Sequence, residues 1–299
     1  MPFDRLERVL ASELAALDES GTRKGAEAVI VRVLPAKREG GPRVLLEGEG
    51  DRRFLRMNSN GYLGMAHDRE VIAAEEAAAR EFGAGPSAVR FISGTFAPHT
   101  TLERNLAAFH DREAGMIYSS AYAAVMGVLP PLIDESTAVI SDELNHNCII
   151  NAIRVARPRE KRVYPHLDVD ALEATLDAVA ASCSRAMVVT DGVFSMRGDH
   201  APLDRIIAAA HAFDARFEEN VLVVVDDSHG VGAFGAQGRG TEEVAGARAD
   251  VLVATLGKAI GVNGGYVVGS SILTDFLREK SPFYVYSNPI TPGARAGRR

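Results

Sequence analysis

The chain has 299 residues, 46% of them hydrophobic and 24% charged, an ordinary composition for a globular protein with a substantial core. Its formal net charge of −7 supplies no basic face for phosphate neutralisation, so general nucleic-acid binding is excluded and any anionic ligand must be held by local donors. No run reaches the length of a membrane span, and Met1-Pro-Phe-Asp-Arg-Leu-Glu-Arg8 carries charges where a secretory signal needs an apolar core, so a cytoplasmic protein is expected.

At the N-terminus, Leu6, Leu10, Leu14 and Leu17 recur at helical spacing over about 4–17, and short β-like stretches follow at 29–33 and 44–46. These small elements, broken by the turn-rich stretches 20–25 and 37–42, form an expected N-terminal arm over 1–57. From about residue 98 onward, helical patterns alternate with short apolar strands at 115–118, 137–140, 161–164, 185–190, 221–225, 251–255 and 265–268. Helices are expected between most of them, for example over 101–109 and, capped by Asp168, over 169–181. That alternation predicts an α/β domain over 58–288: a mostly parallel seven-stranded sheet flanked by helices on both faces. Too little chain separates the last two strands for a right-handed crossover, so the Tyr266 strand should pair antiparallel.

Lys258 sits just past the strand at 251–255. Keeping a lysine charged beside buried strands is costly, so desolvation should lower its pKa and leave a nucleophilic amine able to form a Schiff base. The apolar run 221–225 opens into Asp226-Asp-Ser-His229, placing acid and imidazole at a strand's carboxyl end, where open α/β sheets bind ligands. Asp226 is suited to a pyridinium nitrogen and His229 to the phenolic oxygen of the same ring. Together with Lys258 they are the protein groups that pyridoxal 5'-phosphate requires.

Three rival motifs fail on context. Gly230-Val-Gly-Ala-Phe-Gly235 matches a dinucleotide fingerprint, yet Asp-Asp-Ser-His intervenes between strand and glycines, and Ala236-Gln-Gly-Arg-Gly-Thr241 reads as loop where a helix is needed. Leu256-Gly-Lys258 lacks the spaced glycine and the following hydroxyl of a P-loop. The histidines show no HExxH pattern and the two cysteines, Cys148 and Cys183, no CxxC spacing, so no metal site and no disulfide framework are expected.

Asp226-Asp-Ser-His229, Thr255-Leu-Gly-Lys258 and Gly264-Gly-Tyr266 together resemble the α-oxoamine synthases, fold-type-I pyridoxal-phosphate enzymes that join an amino acid to an acyl-CoA. Further blocks agree in order: Asn58-Ser-Asn-Gly-Tyr-Leu-Gly64, Val89-Arg-Phe-Ile-Ser-Gly-Thr95 with His99 and Glu103, Tyr118-Ser-Ser-Ala-Tyr122, Asp142-Glu-Leu-Asn-His146 and Asp191-Gly-Val-Phe-Ser-Met196. Within the family, the glycine C-acetyltransferase type is the most similar. The resemblance implies that Lys258 carries the cofactor and then acts as general base, and that Asp226 keeps the pyridine nitrogen protonated. His146 would stack on the ring and donate to the substrate carbonyl, while His229 would bond the ring oxygen. Ala121 and Tyr122 would offer the phosphate the free N–H groups of a helix start, with Thr255 adding a hydroxyl and Ser195 lying nearby. Ser287 and Asn288 would reach a partner subunit's phosphate, implying a homodimer, and Asn60 would face the amino acid. The expected substrates are glycine or a similar amino acid and an acyl-CoA. Two alternatives stay open: another fold-type-I activity, such as an aminotransferase or lyase, and a non-catalytic remnant that binds the cofactor or a partner subunit.

The sequence departs from the family pattern in three places. Asn147, Cys148 and Asn151 replace the usual residues after the Asn-His pair, and Arg197 stands where an acid is common. Family chains also continue into a C-terminal domain whose arginine binds the substrate carboxylate. Here 289–299 reads as the truncated start of that domain, with no amphipathic continuation after Gly293.

Overall fold

The computed structural model describes residues 3–36 and 40–293, which divide into two compact units between Ser59 and Asn60. In the first unit, α1 (Asp4–Glu19) is exposed along its whole length, its leucines included. Strands β1 (Ile30–Leu34) and β2 (Arg43–Leu46) pair antiparallel with Val33 opposite Val44. Of the expected break at 37–42, residues 37–39 lie outside the described ones, as do 294–299 of the expected C-terminal start.

The second unit opens with α2 (Arg69–Phe82), whose start is fixed by Asp68: its carboxylate accepts the N–H groups of Glu70 and Val71. This helix was not read from the sequence, although an acidic cap, an alanine-rich interior and Gly83 beyond its end all signal it. Helix α3 (Ala97–Phe109) begins four residues earlier than expected, with Pro98 in its first turn, where the missing N–H costs nothing.

Thereafter strands and helices alternate: β3 (Ala114–Tyr118), α4 (Ala121–Leu132), β4 (Thr137–Asp142), α5 (Asn147–Ala156), β5 (Glu160–Tyr164), α6 (Val169–Val179), β6 (Arg185–Asp191), α7 (Leu203–Phe213), β7 (Val221–Asp226), α8 (Thr241–Ala245), β8 (Val251–Thr255), β9 (Gly265–Gly269), α9 (Ser271–Lys280) and α10 (Pro282–Val285). The sheet order is β3-β9-β8-β7-β6-β4-β5. Only β9 runs against its neighbours, pairing antiparallel with both β8 and β3, so the seven-stranded, mostly parallel sheet is as expected. Because every other strand points the same way, β3, β4, β6, β7 and β8 all deliver their carboxyl ends to one edge.

Strand residues alternate between two covered faces. Ala186, Val188, Val223 and Val225 pack with α6 and α7, while Met187, Val189, Val224 and Val253 pack with α4 and α5. Sheets covered on both sides need continuous apolar strands, which is why 221–225 and 251–254 read as unbroken hydrophobic runs. The glycine-rich stretch after His229 forms turns, not a helix, and it folds around Glu243, whose carboxylate accepts the N–H groups of Gln237 and Arg239.

Candidate active site

Three neighbouring strands end in aspartate: β4 at Asp142, β6 at Asp191 and β7 at Asp226. The β6–β7 register sets Asp191 directly beside Asp226. Leaving β7, the chain makes a turn in which Asp226 Oδ1 accepts the Ser228 N–H at 3.1 Å, a local bond that aspartate favours at such an exit. The adjacent β8 carries the chain to Lys258. This lysine is partly buried, and burial lowers its pKa against the opposing pull of the Asp226 and Asp191 carboxylates. Burial, and then the Asp226 charge, push Asp191 well above the usual carboxylate range, and its Oδ2 accepts the His146 N–H at 2.9 Å.

His146 caps α5: its Nδ1 accepts the Cys148 N–H at 3.3 Å and lies 2.9 Å from Cys148 Sγ. Cys148 Sγ in turn stands 3.7 Å from Asp226 Oδ2. His229 Nδ1 is 2.6 Å from the Tyr62 hydroxyl. Burial first, and then the Lys258 charge, lower the His229 pKa to about 4, so its ring is neutral at pH 7. Tyr62 is pushed up by burial and keeps its proton. We therefore assign an O–H···N bond from Tyr62 to Nδ1, which leaves the imidazole proton on Nε2.

A helix start lies at the same edge. Ser120 caps α4 by accepting the Ala123 N–H at 3.0 Å, and Ala121 and Tyr122 form the first turn. Gly265 of β9 packs against this terminus so closely that a Cβ there would sit 2.2 Å from Ala121 N. The Thr255 hydroxyl is engaged in the β8–β9 turn, donating to Gly264 O at 3.2 Å and accepting the Gly257 N–H at 3.1 Å.

The structure thus brings Lys258, Asp226, His146 and His229 together. Ser195 is exposed in the turn after β6, Asn288 is exposed beyond α10, and Ser287 donates to the Asn288 carbonyl at 3.4 Å. No described hydrogen bond or ion pair joins these three to the central group. Asn60 is exposed, with Oδ1 3.4 Å from the Tyr62 hydroxyl.

Sequence reasoning assigned no role to Tyr62 or Asp191, and noted Cys148 only as a departure. The register of 185–190 against 221–225 was the available signal for Asp191; nothing local pointed to the Tyr62–His229 pair, 167 residues apart. Other motif residues hold the scaffold. Asn145 donates to Ser141 Oγ and Val189 O and accepts the Asp191 N–H, tying β4 to β6. Arg90 forms a buried two-bond pair with Glu103, which also meets Arg278. His99 accepts the Phe96 N–H at Nδ1 and donates from Nε2 to Ile290 O, so it is a satisfied core histidine. Arg197 pairs with Asp199, which also bonds His166, and Asn151 donates to the Tyr122 hydroxyl.

An amine opposed by carboxylates, two imidazoles and a capped helix start, all at the carboxyl edge of this sheet, define a fold-type-I pyridoxal-phosphate transferase fold. The donor set fits that cofactor: an amine for its aldehyde, an acid for its ring nitrogen and free N–H groups for its phosphate.

The chain belongs to the aminotransferase class I and II family, whose model matches residues 52–297, and within it to the α-oxoamine synthases, which are pyridoxal-phosphate dependent. It is 42% identical over 258 residues, 86% of the chain, to 8-amino-7-oxononanoate synthase 1 of Bacillus velezensis, covering 63% of that protein. To the mitochondrial 2-amino-3-ketobutyrate coenzyme A ligase of Bos taurus it is 40% identical over 97% of the chain and 66% of the relative. A solved serine palmitoyltransferase of Sphingomonas wittichii superposes with a TM-score of 0.83 at 29% identity, covering 98% of this chain and 69% of that one. The chain spans about three fifths of the length of the curated 8-amino-7-oxononanoate synthases it matches. Among the described residues, no helix is long and apolar enough to cross a membrane.

Proposed function

We propose that this chain binds pyridoxal 5'-phosphate through Lys258 and serves a carbon–carbon bond-forming acyl transfer from an acyl-CoA to an amino acid. The observation that carries the reading is that Lys258, just past the end of β8, lies within electrostatic reach of Asp226 at the end of the neighbouring parallel strand β7, with His146 and His229 at the same edge. When bound, the cofactor supplies an electron sink for the negative charge left on the amino acid's α-carbon.

The chain's own groups do the rest. Burial makes the Lys258 amine easier to deprotonate, suiting it to take the α-proton. Asp226, fixed by the Ser228 N–H, holds a proton on the ring nitrogen. His229, neutral and oriented by Tyr62, presents Nε2–H to the ring oxygen. His146, with Nδ1 occupied by the Cys148 N–H, presents Nε2–H to a substrate carbonyl. Ala121 and Tyr122 offer N–H groups to the phosphate, with Thr255 and Ser195 beside it, and Asn60 faces the amino acid. A homodimer in which Ser287 and Asn288 reach the partner's phosphate, in a cytoplasmic setting, completes the reading.

For the substrates we favour glycine and acetyl-CoA, supported by the 89–95 and 226–229 blocks and by likeness to the ketobutyrate ligase along nearly the whole chain. The 42% identity to an 8-amino-7-oxononanoate synthase favours a second reading, in which the acyl donor bears a distal carboxylate. Purified protein loaded with pyridoxal phosphate should absorb visible light, and Lys258→Ala should lose that band. Release of free thiol from acetyl-CoA or from carboxylated acyl-CoA, measured with glycine, alanine or serine, distinguishes the two readings. A wild-type chain with no visible band refutes both.

A further inference from the structure

We infer that Cys148 is a positioning residue whose thiol, set between His146 and Asp226, gives its one proton to the nearer acceptor, His146 Nδ1, and so holds the imidazole in the tautomer that carries its proton on Nε2. The inference rests on the proposed roles of those two partners, and its geometry is independent of any bound group. Cys148 is buried at the first turn of α5, with Sγ 2.9 Å from His146 Nδ1 and 3.7 Å from Asp226 Oδ2. Its backbone N–H also points at Nδ1, but at 3.3 Å, long for such a bond. An Nδ1 that faces two donors from one residue has no place for a proton of its own, so the ring's single proton belongs on Nε2.

The thiol is suited to this task. Burial, reinforced by the Asp226 charge, pushes Cys148 far above the usual thiol range, so it remains S–H and acts as a donor, not as a nucleophile. A thiolate there would set a second negative charge against Asp226 and reverse the polarity of the contact to Nδ1. Packing against Ile149, Val189 and Val224 in the same apolar cluster keeps the sulfur away from solvent.

The test uses the cofactor-free chain with nitrogen-15 in its histidines, because ring nitrogen shifts distinguish the two tautomers directly. Wild type and Cys148→Ser should each show His146 as a single tautomer protonated on Nε2. In Cys148→Ala the long amide contact alone remains, and both tautomers should appear. Pyridoxal-phosphate titration should then show affinity roughly five- to tenfold weaker for Cys148→Ala, the loss of one hydrogen bond, and restored in Cys148→Ser. An unchanged tautomer and affinity in Cys148→Ala, or a serine variant that behaves like alanine, overturns the inference. A wild-type chain that shows the tautomer difference but binds no pyridoxal phosphate refutes the cofactor reading and leaves the positioning role standing.

Discussion

Asp227 offers the sharpest test of the packing behind the site. Its carboxyl is fully buried, and three glycines make room for it: a Cβ at Gly192, Gly230 or Gly240 would lie 2.3, 2.1 or 2.0 Å from its oxygens. Oδ2 accepts the Thr241 N–H at 2.6 Å, while Oδ1 has no partner among the described residues. Burial pushes the pKa up to about 8, whereas in the unfolded chain this acid titrates near the ordinary value of about 4. Between those values the folded state holds a proton that the unfolded state has released, so stability falls as pH rises. The contribution is fully present below about pH 4 and is lost by about pH 8, with a limiting slope of about 1.4 kcal/mol per pH unit and a span on the order of 5 kcal/mol. Asp227→Asn keeps an acceptor for Thr241 and cannot ionise. Urea unfolding of the cofactor-free protein between pH 5 and pH 8.5 should therefore show a steeper decline in wild type than in Asp227→Asn, with the variant at least as stable at the alkaline end. Parallel curves would refute the claim that the cage holds a neutral acid.

Three further outcomes follow from single contacts. Tyr62→Phe removes the donor to His229 Nδ1, and titration with pyridoxal phosphate should show affinity about two- to tenfold weaker. Gly265→Ala forces a methyl against the first turn of α4; thermal unfolding should register a loss of about 1–3 kcal/mol, together with weaker cofactor binding. Glu103→Ala leaves the Arg90 guanidinium buried without its partner, and chemical denaturation should reveal about 3–5 kcal/mol of destabilisation even though Glu103 belongs to none of the proposed catalytic contacts.

The sheet was legible because its central strands are buried on both faces, so 186–189, 221–225 and 251–254 carry unbroken apolar runs that no surface element would show. The direction of β9 followed from loop length alone. Lys258, Asp226 and His229 were readable because strand ends and the turns after them lie close in sequence. What escaped depends on register or on distant pairs. Asp191 matters through its place beside Asp226, Tyr62 through a histidine far along the chain, and the Asp227 cage through glycines taken from three separate turns. Helix α2 had its signals, but its acids and alanines carry only a weak apolar face, with Val71 and Ala78 buried. The hydroxyl of Thr255 shows a different limit: composition reveals a hydroxyl at a strand end, and only coordinates reveal that a turn already engages it.

An acidic chain with this many carboxyls at one sheet edge must keep most of them from repelling an anionic ligand. Asp142 is answered by His166 and by the N–H groups of Leu144 and Leu167. Asp191 accepts the His146 N–H and is pushed toward its protonated form, as Asp227 is within its glycine cage. Asp226 differs: besides the local Ser228 N–H, it faces the Cys148 thiol and the charge of Lys258, with Asp191 beside it on β6. With Asp191 pushed toward its protonated form, Asp226 is the carboxylate that a protonated ring nitrogen would meet. In the proposed reading, the phosphate would be met by the N–H groups that open α4, which is how a net charge of −7 and a dianionic cofactor can be compatible.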